Sequence, residues 1–186
     1  MIIFDLDGTL ADCDHRRYHV DPSKRSDCYY HSLSNLKQMQ GWYYLDDVSY
    51  PKSRVKFKPD YEKFYGACDQ DEPIEYVCEI MRIYAFHKRE FEIWSGRCES
   101  VIEKTIDWLH EHTGLDFYSD GLCPNLKMRP IGNSDPDEVL KEKWLDEELA
   151  KGKKIDFVFD DRPKVIRMWR RRGIFVFNCC QHEREF

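Results

Sequence analysis

The chain has 186 residues, 41% hydrophobic and 15% aromatic, which is enough apolar content for a real core and too much for a chain disordered throughout. Its 29 basic and 35 acidic residues leave a net charge of −6, so the surface as a whole does not advertise nucleic-acid binding. No apolar run approaches a membrane span, the N-terminus lacks the features of an export signal, and the eight cysteines contain no Cys-x-x-Cys pair, so a cytoplasmic protein with free thiols is expected.

In chain order, Met1-Ile2-Ile3-Phe4 reads as a short buried strand that runs into Asp5-Leu6-Asp7-Gly8-Thr9. Side chains two apart on a strand share a face, so Asp5 and Asp7 can serve one site, and Gly8 permits a sharp turn and a close backbone approach to an anion. An Asp-x-Asp-Gly run also begins calcium loops. Such a loop needs a Glu at its twelfth position, where this chain has Arg16, and it follows a helix rather than a strand.

From Leu10 to about Lys58 the chain is irregular, aromatic and rich in turn formers. Lys52, Arg54, Lys56 and Lys58 alternate with Ser53, Val55 and Phe57, close to Tyr29-Tyr30, Trp42-Tyr43-Tyr44 and Tyr50. This segment reads first as a small aromatic core with a solvated charged edge. The alternative is a surface that stacks bases and contacts phosphates.

Regular patterns resume at Pro73. Ile74, Val77, Ile80-Met81 and Tyr84-Ala85 repeat at helical spacing, and the strand Phe91-Glu92-Ile93-Trp94 then ends in Ser95-Gly96-Arg97. A helix from about Ser100 to His112 stops at Gly114. Asp135, Pro136 and Glu138 suit the N-cap, N1 and N3 positions of a third helix, which places Lys141 in its second turn. The strand Ile155–Phe159 ends in Asp160-Asp161-Arg162-Pro163, a helix from Pro163 to Arg172 stops at Gly173, and Ile174–Phe177 is a last strand. Alternating strands and helices predict an α/β fold, a doubly wound and mostly parallel sheet, which binds ligands at the carboxyl ends of its strands, where Asp5, Ser95 and Asp160 fall.

The residue types at those ends suit phosphoryl transfer. A Ser hydroxyl followed by a Gly N–H can hold phosphoryl oxygens. Adjacent acids such as Asp160 and Asp161 are costly to crowd together without a cation. An attacking carboxylate needs the phosphoryl charge neutralised, which Mg²⁺ and Lys141 would provide, and oxygen ligands favour Mg²⁺ over zinc. One of Asp5 and Asp7 could attack phosphorus and the other handle the leaving group's proton, a group that must start protonated and that neighbouring acids would help to keep so.

Taken singly these motifs are ordinary; in this order they resemble the signature of the haloacid dehalogenase (HAD) phosphatases. The blocks Phe4–Ala11, Trp94-Ser95-Gly96-Arg97, Val139-Leu140-Lys141-Glu142, Phe159-Asp160-Asp161-Arg162 and Val165–Arg171 resemble, more narrowly, the phosphatase domain of phage polynucleotide kinase. The resemblance covers residues 1–11 and about 90–178. It implies a HAD-like Rossmannoid sheet and removal of 3′-phosphate from nucleic-acid ends through an aspartyl-phosphate. Asp5 would be the nucleophile and Asp7 the general acid and base. Ser95, Gly96, Arg97 and Lys141 would bind phosphate, and Mg²⁺ would sit on Asp5, the backbone carbonyl of Asp7, and Asp160 or Asp161. Arg129, in Met128-Arg129-Pro130, is a further candidate substrate contact.

Two departures limit the transfer. The chain contains no Gly-x-x-x-x-Gly-Lys-Ser/Thr loop, so kinase activity is not expected. Residues 12–72 match the relative poorly and fall where a cap would be inserted into a single phosphatase domain of residues 1–186. Three readings remain: a polynucleotide 3′-phosphatase, a nucleotidase acting on mononucleotides or another small phosphomonoester, and an inactive binding module. The intact acidic, Ser and Lys set disfavours the third. The partner is then a phosphorylated nucleic-acid end or nucleotide, and the resemblance implies a bacteriophage origin and a host cytoplasmic location.

Overall fold

The computed structural model describes residues 1–21, 58–117 and 126–180. The chain separates into two units, Met1–Cys13 with Cys68–Phe186, and Asp14–Ala67. The basic run Lys52, Arg54 and Lys56, the aromatics from Tyr29 to Phe57, Cys28 and Cys123 lie outside the described residues.

The first unit is built on β1 (Ile2–Phe4), β4 (Phe91–Cys98), β5 (Leu126–Arg129), β6 (Phe157–Asp160) and β7 (Phe175–Asn178). These strands form one sheet in the order β5-β4-β1-β6-β7, and every pairing in it is parallel. A parallel ladder needs crossovers, which here are α2 (Glu75–Phe86), α3 (Ile102–Thr113), α4 (Asp137–Ala150) and α5 (Pro163–Arg171). β1 is buried throughout and shows the alternation of a two-sided strand. Ile2 and Phe4 join Val77, Met81, Trp108 and Leu109 on the face of α2 and α3. Ile3 joins Leu140, Trp144, Val165 and Trp169 on the face of α4 and α5.

The helices lie close to their predicted places. Gly114, at φ +67°, ends α3 in the left-handed conformation that favours Gly. One prediction fails at the start of α4. Pro136 is extended (φ −54°, ψ 147°), so it sits at the N-cap and the helix begins at Asp137. The Asp135 carboxylate caps nothing, because it accepts from Asn133 Nδ2 at 3.1 Å and Lys143 Nζ at 2.8 Å instead. β5 was not predicted; its half-buried Leu126 and Lys127 carry little strand signal.

A two-stranded antiparallel ladder, β2 (Ala11–Asp12) with β3 (Glu72–Pro73), stands where the chain leaves and re-enters this unit. In the second unit a 3₁₀ turn at Asp14–His19 packs against α1 (Tyr61–Gly66). The Arg16 guanidinium lies 4.2 Å over the Phe64 ring and donates to the Phe64 carbonyl at 3.1 Å. Among the described residues no helix is long and apolar enough to cross a membrane. Among the described residues no disulfide joins the six cysteines.

Candidate active site

In register, Phe4 of β1 stands between Ile93 of β4 and Phe159 of β6, and the Asp5 N–H donates to the Phe159 carbonyl at 2.9 Å. β1 ends at Phe4 while β6 runs one residue further to Asp160, so Asp5 and Asp160 come together at the carboxyl end of the sheet. Asp5, Asp160 and Asp161 are all buried and bring one carboxylate oxygen each within 4.8 Å of the others.

Lys141, reached from the second turn of α4, inserts its ammonium between two of them. It donates to Asp5 Oδ1 at 2.6 Å and to Asp160 Oδ2 at 2.9 Å. Asp160 also accepts from Trp169 Nε1 at 3.2 Å and the Arg162 N–H at 3.0 Å. Burial pushes the Asp5 carboxyl well above its ordinary range against the pull of Lys141, with Asp160 and Asp161 adding to the rise. Burial alone would lower the Lys141 pKa, but Asp160 and Asp5 raise it, so the ammonium stays charged. Cys179 lies beside this cluster; burial first, then Asp160, Asp161 and Asp5, push its thiol up to about 12, which keeps it neutral. Three convergent carboxylates beside one ammonium leave an excess of negative charge, and a hard divalent cation such as Mg²⁺ fits that donor set.

Gly8 closes the loop after β1 at φ +89°. A Cβ at this position would overlap the Asp161 carboxylate, so both the conformation and the space require Gly. The Asp7 side chain is not one of the trio. Its Oδ1 accepts from Arg97 Nε at 2.8 Å and Nη2 at 2.6 Å. The sequence predicts acids around Asp7; the contact the structure shows is the Arg97 guanidinium.

β4 does not end at Ser95 as predicted but continues to Cys98, with a register shift against β5 between those two residues. The irregularity takes Gly96 and Arg97 out of the ladder and re-aims Arg97. Arg97 N–H donates to Ser95 Oγ at 3.1 Å, which leaves the hydroxyl hydrogen of Ser95 to serve as a donor. The fully buried Arg97 guanidinium also binds Asp71 Oδ2 at 2.6 Å, and the Asp71 carbonyl accepts from Trp108 Nε1 at 2.7 Å.

Arg129 likewise faces the protein's own acceptors: the Gly96 carbonyl (3.0 Å), Asn133 Oδ1 (2.8 Å), the Asp135 carbonyl (2.6 Å) and Asp137. Asp137 takes Arg129 and Arg162 together, and a Cβ on Gly96 would come within 3.0 Å of its carboxylate. Sequence reasoning missed Asp71 and Asp137. Asp71 lies in the acidic run Asp69-Gln70-Asp71-Glu72, and Asp137 was absorbed into a helix start, so neither carries a local signal.

Comparison with solved structures supports the same fold. A chain of the Pnkp1/Rnl/Hen1 RNA repair complex matches with TM-score 0.58 at 20% identity, over 96% of this chain and 41% of that one. A second Pnkp1/Rnl/Hen1 complex matches with TM-score 0.58 at 21% identity, over 96% and 45%. A candidate phosphatase from Clostridium difficile matches with TM-score 0.53 at 17% identity, over 95% and 83%. Fold, site and family model together define a HAD phosphatase.

Within that class, the family model of the polynucleotide kinase PNKP phosphatase domain matches residues 58–183, about two thirds of the chain, and the chain belongs to this family. The matched stretch contains Ser95, Lys141, Asp160 and Asp161 and begins after Asp5 and Asp7. A candidate bifunctional polynucleotide kinase/RNA ligase of Autographa californica nuclear polyhedrosis virus is 33% identical over 93 residues, which is 50% of this chain and 12% of that protein. The chain thus spans about an eighth of this curated relative and under half of each repair-complex chain.

Proposed function

We propose that the chain is a Mg²⁺-dependent phosphatase that removes 3′-phosphate from nucleic-acid ends through a phospho-Asp5 intermediate. The observation that carries this reading is the Lys141 ammonium held between Asp5 and Asp160, with Asp161 completing a trio of oxygen donors at the carboxyl ends of the strands. Asp5 is the nucleophile: one carboxylate oxygen attacks phosphorus as the bond to the leaving oxygen breaks. Lys141, the Ser95 hydroxyl and the backbone N–H groups of the Gly96 turn hold the phosphoryl oxygens.

Asp7 gives a proton to the departing alkoxide and then takes one from the water that attacks phospho-Asp5, which returns both residues to their starting states. Arg97 keeps Asp7 aimed through both steps, and Asp71 keeps Arg97 aimed in turn. Asp5, Asp160, Asp161 and the backbone carbonyl of Asp7 would hold Mg²⁺, which when bound offsets phosphoryl charge and keeps Asp5 ionised.

A nucleic-acid end is the substrate this reading favours, supported by membership of the PNKP phosphatase family and by the fold shared with RNA repair proteins. The test is phosphate release with Mg²⁺ from a short oligonucleotide 3′-phosphate and from 3′- and 5′-mononucleotides, wild type beside Asp5→Asn. Preference for the oligonucleotide, loss of turnover in Asp5→Asn and loss on chelation are expected. Equal or faster turnover of mononucleotides would make the chain a nucleotidase, and turnover by Asp5→Asn would remove the aspartyl-phosphate.

A further inference from the structure

Residues 162–172, which are α5 and the residue on either side of it, hold six of the chain's 29 basic side chains and none of its 35 acidic ones. The protein as a whole has a net charge of −6, so this concentration runs against the average. The helix is sharply two-faced. Val165, Ile166, Met168 and Trp169 are buried in the core, while every exposed position of α5 is basic: Lys164, Arg167, Arg170 and Arg171. At 3.6 residues per turn these four fall within about 120° of one another, which makes one stripe down the outside of the helix.

Internal pairing and helix stability do not account for the stripe. Arg171 and Arg172 bond Glu142 at 2.7 and 3.2 Å, and Arg172 also bonds Asp146 at 2.5 Å. Among the described residues no carboxylate pairs with Lys164 or Arg170. A cation in the last turn offsets the helix dipole, but Lys164 stands in the first turn, which contains no acid and where a cation opposes the dipole. Position ties the stripe to the candidate active site. β6 ends at Asp160, and α5 begins at Pro163. Because β6 and β7 are parallel, α5 runs back from the carboxyl edge of the sheet toward the amino edge. Lys164 is therefore at the end near Asp160 and Asp161, and Arg170 lies about 9 Å further along the axis.

We propose that the stripe is a track for the substrate strand: the sugar-phosphate backbone behind a 3′ end lies along α5, with Lys164 and Arg170 against its phosphates. This rests on the reading of the chain as a phosphatase of nucleic-acid ends, and it names the surface that tells a strand from a mononucleotide. A mononucleotide in the site is too short to reach along the helix. A strand fits better than an anionic membrane, because the apolar face that would enter a bilayer is already buried in the core. Contacts to phosphates carry no sequence information, so the track accepts any sequence and its grip weakens with salt.

The test is the KM of the full chain, at rising salt, for a 3′-phosphorylated oligonucleotide of about ten nucleotides and for a 3′-mononucleotide. Lys164→Glu/Arg170→Glu and the charge-conserving Lys164→Arg/Arg170→Lys are measured beside wild type. Wild type is expected to bind the oligonucleotide more tightly and to lose that advantage as salt rises, a readout that needs no variant. Charge reversal is expected to raise the ratio of oligonucleotide KM to mononucleotide KM about 10-fold or more, and to reduce the salt slope by about 0.7 for each lost contact. The charge-conserving pair is expected to keep the wild-type ratio. Equal KM values in wild type overturn the track together with the function beneath it. A wild type that favours the oligonucleotide, beside a reversed variant with an unchanged ratio, overturns the track alone, as does the same loss in the charge-conserving pair. Lost binding to phosphatidylserine vesicles in the reversed variant, with the ratio unchanged, would assign the stripe to a membrane surface instead.

Discussion

Arg97 and Asp7, separated by 90 positions in the sequence, meet at one oxygen: Nε and Nη2 donate to Asp7 Oδ1 at 2.8 and 2.6 Å. Two donors from a planar fork fix both the position and the plane of the carboxylate, which one flexible donor does not do. Arg97→Lys should therefore lower kcat by about 100-fold with little change in KM, because the proton-transferring group is misplaced while phosphate contacts remain. Steady-state kinetics on an oligonucleotide 3′-phosphate check this, and an unchanged kcat would mean that Asp7 needs no such hold.

The ammonium of Lys141 is the only cation seen on the Asp5 and Asp160 carboxylates among the described residues. Lys141→Met leaves two buried carboxylates without it, at a cost of about 3 kcal/mol in the metal-free protein. Turnover should fall by about 1,000-fold as phosphoryl stabilisation is lost. Added Mg²⁺ should recover more of the melting temperature in the variant than in wild type. Thermal melts with and without Mg²⁺ read the difference, and equal responses would place the cation elsewhere.

Gly8→Ala tests the link between the loop after β1 and Asp161. The positive φ and the overlap with the Asp161 carboxylate should together destabilise the fold by about 1–3 kcal/mol. Displacing Asp161 should also raise the Mg²⁺ concentration needed for half-maximal activity. An activation curve that matches wild type would show that Asp161 is not a metal ligand.

Glu148, on α4, supplies a pH dependence remote from the site. Burial acts to raise its carboxyl, but hydrogen bonds from Lys127 (2.5 Å), Lys151 (2.8 Å) and Lys153 outweigh burial and hold it down at about 2. A folded pKa below the unfolded one contributes stability that is complete above about pH 4.5 and disappears as pH falls toward 2. The contribution is on the order of 2–3 kcal/mol. Glu148→Gln should lower the melting temperature at pH 7 and flatten its fall between about pH 5 and pH 3. Parallel pH curves for the two proteins would contradict the assignment.

Much of the architecture was legible because it is written in local periods. Apolar runs mark β1, β4 and β6, helical spacing marks α2 to α5, and Gly114 and Gly173 mark helix ends. Where local signals misled, a tertiary partner had outcompeted a local one. Asp135 would cap α4 in isolation, but Lys143 and Asn133 claim its carboxylate. β4 would stop at the Ser-Gly turn, but pairing with β5 extends it through an irregular register to Cys98. β5 itself is too short and too polar to show a period, and it exists because β4 offers it an edge.

The sequence by itself determined which residues could carry the chemistry and that Asp5, Ser95 and Asp160 would gather at one end of a parallel sheet. Strand direction and side-chain alternation impose that much. Only the tertiary structure decided how charge is distributed among them. Lys141 bonds Asp5 and Asp160, 136 and 19 positions away, and the Arg97 guanidinium bonds Asp7 and Asp71. Asp137 emerges as the acceptor shared by Arg129 and Arg162. Such pairings depend on which of several acceptors lies within reach of a buried donor once the strands have met, and no local spacing in the chain encodes that competition.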